Sequence, residues 1–374
     1  MAKRGHGEGS IYREKDGTWR AALSLIPEEG GGRRYFRGQT RQEVQQKLAA
    51  ARRAQEDGLP QITGRQTVEQ YLTSWLETIK PTMDYSACKR HNEYVRLHII
   101  PGIGAIRLTA LTPQQVQAPY SDRLSSGLSP STVHHLHATL HKALKDAERL
   151  RLVARNVTKL VNVPRMAESE IHPLSRDEAR ILLDVASGER LYALYALALA
   201  TGMRQSELLG LQWPELDLDH GLARVRWQLK REGGVWVWKQ PKTRRSRRQI
   251  ALSSSTVVAL RAHQAAQELV RAHAGTTWED HELIFCTRLG RPLSARNVFR
   301  SFQLLLTKAD LPRIRFHDLR HTAATLLLTG RVNPKVVSEM LRHSTVAITL
   351  DIYSHVLPDM QQDAAATLEN LLYQ

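Results

Sequence analysis

The chain reads as a multidomain protein. A small βββα unit comes first, an all-α domain follows, and a mainly α (α+β) domain with one small antiparallel sheet closes the chain. Three observations predict this. Short strand-like segments broken by Gly and Pro fill residues 1–60. Helix-start signals then recur at Thr67, Thr112 and Ser129 without strand patterns between them. Beyond Ser175 helical signals return, interrupted once by strand-like segments between Trp213 and Leu252. A chain of 374 residues can bury two or three separate cores.

In order, Gly9–Arg13 and Thr18–Ile26 read as strands around the turn Lys15-Asp16-Gly17, and Arg33–Gly38 as a third strand after the turn Pro27–Gly32. Thr40-Arg41-Gln42-Glu43 is a capping box for a helix that Gly58 ends. In the next domain, residues 65–162, Thr67 caps a helix that Pro81 ends. Tyr85–Ile99 is a second helix, closed by Pro101-Gly102-Ile103-Gly104. Thr112-Pro113-Gln114-Gln115 opens a third with Gly127 as its stop, and Ser129-Pro130 opens a longer one reaching about Leu150. Val161–Pro173 has the composition of a linker. The last domain, residues 170–374, begins with the capping box Ser175–Glu178 and continues with helices Arg176–Ala186 and Glu189–Ala200. Strands are expected at Leu222–Trp227, Val235–Gln240 and Arg248–Leu252, and helices from Ser255 onward.

Charge decides the class of partner. Lys and Arg number 53 against 37 Asp and Glu, a formal +16 with pI near 10.1. That excess predicts a polyanion, with nucleic acid favoured over an anionic membrane surface. The apolar run Leu191–Ala200 is too short to span a bilayer. Cys88 and Cys286 form no CxxC pattern, so neither a disulfide framework nor a cysteine zinc site is expected. Met1–Ser10 lacks an apolar signal core, which makes the cytoplasm the expected location. His137 and His141 share a helical face, but no third ligand or intervening Glu accompanies them, so a metal is not expected.

Basic side chains interleaved with aromatics mark the first unit as a DNA-binding candidate. Arg20, Arg33, Arg34 and Arg37 stand beside Tyr12, Trp19, Tyr35 and Phe36 on a sheet of a size that enters a major groove. The last domain carries groups suited to phosphate chemistry. Arg204 follows the Thr201-Gly202 break, with Glu207 three residues on and placed to fix its guanidinium. Lys242 lies between two strands, on an expected hairpin tip, with Arg244 and Arg245 beside it as DNA contacts. His317 and Arg320 are three apart on one helical face, His343 follows, and Tyr353 comes ten residues later. Arginine offers phosphate a planar fork, histidine moves protons near neutrality, and tyrosine supplies an oxygen nucleophile. Tyr192 and Tyr195 sit in an apolar run and read as core, while Tyr373 lacks basic context.

The order T-G-x-R-x-x-E, P-K-T, H-D-L-R-H-T, L-x-H-S and D-x-Y-S-H resembles the tyrosine recombinase (phage-type integrase) family over about residues 170–360. The 65–162 segment resembles that family's core-binding domain, and the N-terminal pattern GSIY…DGTWRA…RR.F…T its arm-binding domain. The resemblance implies a site-specific DNA recombinase that integrates and excises a mobile element or prophage. Tyr353 would form a 3′-phosphotyrosine, Arg204 and Arg320 would clamp the phosphate with help from His343, Lys242 would protonate the leaving oxygen, and His317 would assist proton transfer. It also implies double-stranded core and arm attachment sites, a homotetramer on DNA in a bacterial cytoplasm, a host DNA-bending protein and an excisionase. No cofactor, metal or ATP is implied. The same cleavage could relax DNA, and a tail helix over Gln361–Leu372, with Leu368, Leu371 and Leu372 on one side, could dock in its own chain or in a neighbour.

Overall fold

A computed structural model describes residues 10–24, 33–56, 65–166, 172–240, 248–342, 345–353 and 368–373. It divides into two compact units, residues 1–168 and 169–374.

In the first unit, strands β1 (Ser10–Arg13), β2 (Trp19–Ser24) and β3 (Arg33–Gly38) form an antiparallel sheet in that order. Helix α1 (Arg41–Glu56) covers one face. Alternation along the strands sends Trp19, Ala21, Leu23 and Phe36 toward Val44 and Leu48 of α1. Thr40 Oγ accepts from the Glu43 N–H at 3.2 Å, and the Glu43 carboxylate reaches back to the Gln39 N–H at 3.0 Å. The expected turn at Pro27–Gly32 and the stop at Gly58 lie outside the described residues.

The helical part comprises α2 (Val68–Ile79), α3 (Tyr85–Tyr94), α4 (Ile100–Ile103), α5 (Pro113–Ser125) and α6 (Pro130–Arg149) around one apolar core. The capping boxes at Thr67/Gln70 and Thr112/Gln115 both form. The core is locked by polar pins from α2 to α6: Tyr71 OH donates to the Ala143 carbonyl at 2.6 Å and Trp75 Nε1 to Asp146 at 2.9 Å. The second helix runs past Ile99 and Pro101 and closes at the far end of the expected stop, where Gly104 caps α4. The chain passes through a π turn, Val95–Ile99, and Pro101 then sits at the start of α4. Proline lacks an N–H and its ring crowds the preceding turn, so the wider π geometry lets the helix continue past it. On α6, His141 Nδ1 is hydrogen-bonded to Thr158 Oγ at 2.8 Å, an ordinary polar anchor.

The second unit holds α7 (Arg176–Ala186), α8 (Tyr192–Thr201), α9 (Gln205–Leu208), β4 (Leu216–Asp217), β5 (Leu222–Val225), β6 (Gln228–Glu232), β7 (Val235–Lys239) and β8 (Arg248–Ala251). Helices α10 (Ser254–Ala274), α11 (Ala295–Lys308), α12 (Asp318–Thr329), α13 (Pro334–Leu341) and α14 (Val346–Tyr353) follow. The apolar α8 runs through the main core, flanked by α7, α10, α11 and α12. Two small sheets occur where one was expected: β4-β5-β8 and the hairpin β6-β7. The segment read as one strand, Leu222–Trp227, ends at Val225, and β6 begins at Gln228. Gly233 and Gly234, at φ 58° and 90°, close the hairpin in the left-handed conformations that two-residue turns demand. Consequently β7 and β8, which flank Lys242, pair with different strands rather than with each other. Of the expected tail helix, residues 368–373 are helical and Leu368, Leu371 and Leu372 are exposed; residues 361–367 lie outside the described ones.

Candidate active site

Arg204 is positioned by a broken helix. Helix α8 stops at Gly202, which adopts φ 59°, ψ 23° and donates its N–H back to the Ala198 carbonyl. Arg204 does not lie on the next helix, as its spacing to Glu207 suggests; it is the N-cap residue of α9, with extended backbone (φ −68°, ψ 146°). Glu207, on the first turn, folds back and accepts from both the Arg204 N–H at 3.1 Å and the guanidinium Nη1 at 3.2 Å. Glu207 is fully buried. This is therefore no solvated i, i+3 pair, since its carboxylate is wholly enclosed by protein.

Arg320 is the second fixed cation. It sits in the first turn of α12 at 3% exposure. Its Nη1 donates to the Gly202 carbonyl at 2.7 Å, and its Nη2 donates to the carbonyl of Leu341, the last residue of α13. One guanidinium thus joins the α8 break, the start of α12 and the end of α13. Arg342 follows in the left-handed conformation (φ 61°, ψ 54°), turning the chain toward position 343.

His317 is the N-cap residue of α12. Protein packed around its ring and then the positive charges of Arg320 and Arg204 push its pKa below the usual histidine value, with Asp318 pulling the other way. At neutral pH it is an uncharged base beside two guanidiniums. His321, one turn on, meets it edge-to-face at 5.2 Å and 87°. Burial and then the neighbouring His317 take His321 down to about 4. Asp318, 5% exposed, cannot serve as a strong counterion to either ring, because Arg315 occupies its carboxylate through a backbone N–H at 2.7 Å and a guanidinium at 2.8 Å. Thr322 Oγ donates to the Asp318 carbonyl and accepts the Leu174 N–H, fastening the segment before α7 to α12.

Arg204, Glu207, His317 and Arg320 are thus brought into one locality. Lys242, Arg244, Arg245 and His343 lie outside the described residues, as does the side chain of Tyr353, whose backbone ends α14. Tyr195 is core, with its hydroxyl at 3.3 Å from Ser301 Oγ, Tyr192 packs partly buried against the same core, and Tyr373 is exposed. The residue pattern missed Asp318, His321 and Arg315. The short H-D-L-R-H spacing carried that signal, since i, i+3 and i, i+4 positions share a helical face. In the N-terminal sheet, Arg20, Arg33 and Arg37 alternate onto the face away from α1, while position 34 pairs with Leu23 on the α1 side. The side chain of Arg34 is outside the described residues.

A model of the phage integrase family matches residues 172–360, which contain every residue of this locality, and the integrase N-terminal SAM-like domain matches residues 67–125. The chain belongs to the phage integrase family. An integrase of Streptomyces ambofaciens is 30% identical over 99% of this chain and 98% of its own length. An integrase of Saccharopolyspora erythraea is 28% identical over 98% and 97%. A solved fragment of the Tn1549 transposon integrase, in complex with a circular intermediate DNA, superposes with a TM-score of 0.70 at 21% identity, covering 81% of this chain and 99% of that one. A lambda integrase tetramer on a Holliday junction superposes at 0.56 and 16% identity, over 94% and 96%. The family member described here is a tyrosine-type site-specific recombinase of mobile elements. Among its described residues, no helix is long and apolar enough to cross a membrane.

Two outcomes follow from this geometry. A Cβ at Gly202 would run into Leu341 Cδ2 and hold a left-handed φ. Gly202→Ala should therefore lose about 2–4 kcal/mol of stability together with strand cleavage, measured by denaturant unfolding and by a cleavage assay; unchanged stability would contradict the close approach. The depressed His321 pKa makes the folded state resist a proton that the unfolded chain takes up near 6.5. Its contribution is whole above pH 6.5 and is lost as pH falls toward 4, by about 3 kcal/mol at most. His321→Gln should remove most of that acid loss in unfolding curves at pH 7, 5.5 and 4.

Proposed function

We propose that Arg204, Lys242, His317, Arg320, His343 and Tyr353 act together on one phosphodiester. The reading is supported by one observation above all: two guanidiniums, one held by a buried carboxylate and one by two carbonyls, converge on a histidine kept neutral. Charge accumulates on the non-bridging oxygens as the phosphorus is attacked, and donors fixed beforehand stabilise it without reorganising. Arg204 and Arg320 are the clamp, and His343 adds a hydrogen bond. The Tyr353 hydroxyl, with a reference pKa near ~10, passes its proton to His317 and attacks phosphorus. The phosphorus–O5′ bond breaks, Lys242 protonates the departing oxygen, and a 3′-phosphotyrosine remains. Attack by a 5′-hydroxyl reverses each step, so the phosphoester bond is conserved and no ATP is consumed.

Residues 65–162 serve as the core-binding domain, residues 170–374 as the catalytic domain, and residues 1–60 as an arm-binding domain whose sheet presents Arg20, Arg33 and Arg37 to DNA. Arg34, Arg244 and Arg245 add contacts along the backbone. Working on double-stranded core and arm sites, four copies exchange strands to integrate and excise the element, aided by a host DNA-bending protein and an excisionase. The work takes place on DNA in the cytoplasm of a bacterial host.

Incubation with a duplex nicked at the element's junction, followed by denaturing electrophoresis, tests the chemistry. A covalent protein–DNA adduct should form in EDTA and vanish in Tyr353→Phe. An adduct from the Phe variant, or strict dependence on a divalent metal, would sink the mechanism. Joined products from two different sites distinguish recombination from simple relaxation.

A further inference from the structure

The outer face of the N-terminal sheet carries its own counterions. Arg20 and Arg37 stand directly opposite each other in register between β2 and β3, an arrangement in which like charges repel. Glu14, in the turn after β1, bridges them: Oε1 meets Arg20 Nη1 at 2.6 Å, and Oε2 meets Arg37 Nη2 at 3.1 Å. Asp16 also pairs with Arg37 Nη2, and Thr18 Oγ accepts from Arg37 Nε at 3.1 Å. Asp16 is itself fixed by the Thr18 N–H at 3.0 Å and hydroxyl at 2.7 Å. The Arg20 guanidinium lies over the Tyr35 ring, 4.2 Å from its centroid.

Two guanidiniums and two carboxylates leave this cluster formally neutral. A surface that bound phosphate by charge alone would not place Glu14, only 22% exposed, in its middle. Held by a carboxylate on one edge and an aromatic ring on one face, Arg20 has a set orientation, which suits a planar fork meeting a base edge better than a mobile contact to phosphate. Guanine offers two acceptors to such a fork in the major groove, and the paired cytosine offers an amino donor that a carboxylate can take.

Building on the arm-binding reading above, we propose that Glu14 and Arg20 together read a G·C base pair in arm-type DNA. Glu14 is the specificity-determining residue: it aims Arg20 and withholds the face from indiscriminate phosphate binding. Asp16 acts only on Arg37 and contributes charge balance without the aiming.

The test is selection of bound duplexes from a randomised library by the full chain, by the chain lacking residues 1–60, and by Glu14→Gln, Asp16→Asn and Arg20→Lys. The part of the motif that disappears with residues 1–60 belongs to the sheet. Within that part, Arg20→Lys and Glu14→Gln should each lower the preference for one G·C pair by about tenfold or more. Glu14→Gln should also tighten binding to unrelated duplexes and steepen its salt dependence by about one phosphate equivalent. Asp16→Asn should steepen the salt dependence and keep the base preference. Retention of the full motif by Glu14→Gln, or equal weakening on every duplex, would overturn the proposal. Thermal unfolding of each variant separates either result from misfolding. If removing residues 1–60 leaves the motif whole, the arm-binding reading itself falls, and this inference with it.

Discussion

The buried guanidinium of Arg320 is the constraint around which the second unit is arranged. A cation at 3% exposure is tolerated only where fixed acceptors replace water, and here two backbone carbonyls do so, from Gly202 and Leu341. Carbonyls come from chain segments rather than from exchangeable side chains, so satisfying this one charge dictates where α8 must end and where α13 must end. The Gly202 requirement follows: a left-handed residue both stops α8 and lets Leu341 lie against the backbone. Arg204 then emerges two residues past the same break. Both cations owe their placement to one helix terminus.

That arrangement also sets the protonation of its neighbours. Two arginines beside His317, and a crowded His321 behind it, make any further positive charge unfavourable. The carboxylate that could have offset them, Asp318, is taken by Arg315. In the reaction proposed above, a histidine that accepts a proton from tyrosine benefits from starting neutral, yet its depressed pKa makes it a weaker base. In that proposed reaction the negative charge of a phosphate bound by Arg204 and Arg320 would raise the basicity of His317 again.

Much of this was legible in the residues, and the exceptions share a cause. Side-chain signals were read well: the capping boxes at Thr67, Thr112 and Ser175 form where their S/T-x-x-E/Q patterns stand, and Tyr195 is core. What escaped depends on backbone. The carbonyl partners of Arg320 have no residue signature, because any residue supplies a carbonyl. Helix Tyr85–Ile99 continues past Pro101 to Ile103, because a π turn accommodates the proline and leaves Gly104 of the expected stop as the cap. The hairpin around Lys242 was drawn from two strands adjacent in sequence. Gly233-Gly234 in fact returns β7 to β6 and leaves β8 for β5, and that glycine pair was the overlooked signal. Arg204 and Glu207 meet as their three-residue spacing suggests, but through a cap geometry that the spacing does not specify.

Net charge teaches a related lesson. A formal +16 points to a polyanion as partner, but it does not say which surface meets it. On the sheet that carries the run of arginines, the carboxylates of Glu14 and Asp16 pair with Arg20 and Arg37. Excess charge spread elsewhere can draw DNA in from a distance, whereas a neutral, rigid cluster gains little from approach and much from correct hydrogen bonding. Division of labour between long-range attraction and short-range reading is what a recombinase requires. It must search a genome of non-specific sites by charge, yet commit only at its own. A carboxylate at the centre of the reading face makes the wrong sequence cost more, because a mismatched pair leaves Arg20 and Glu14 facing groups of their own polarity.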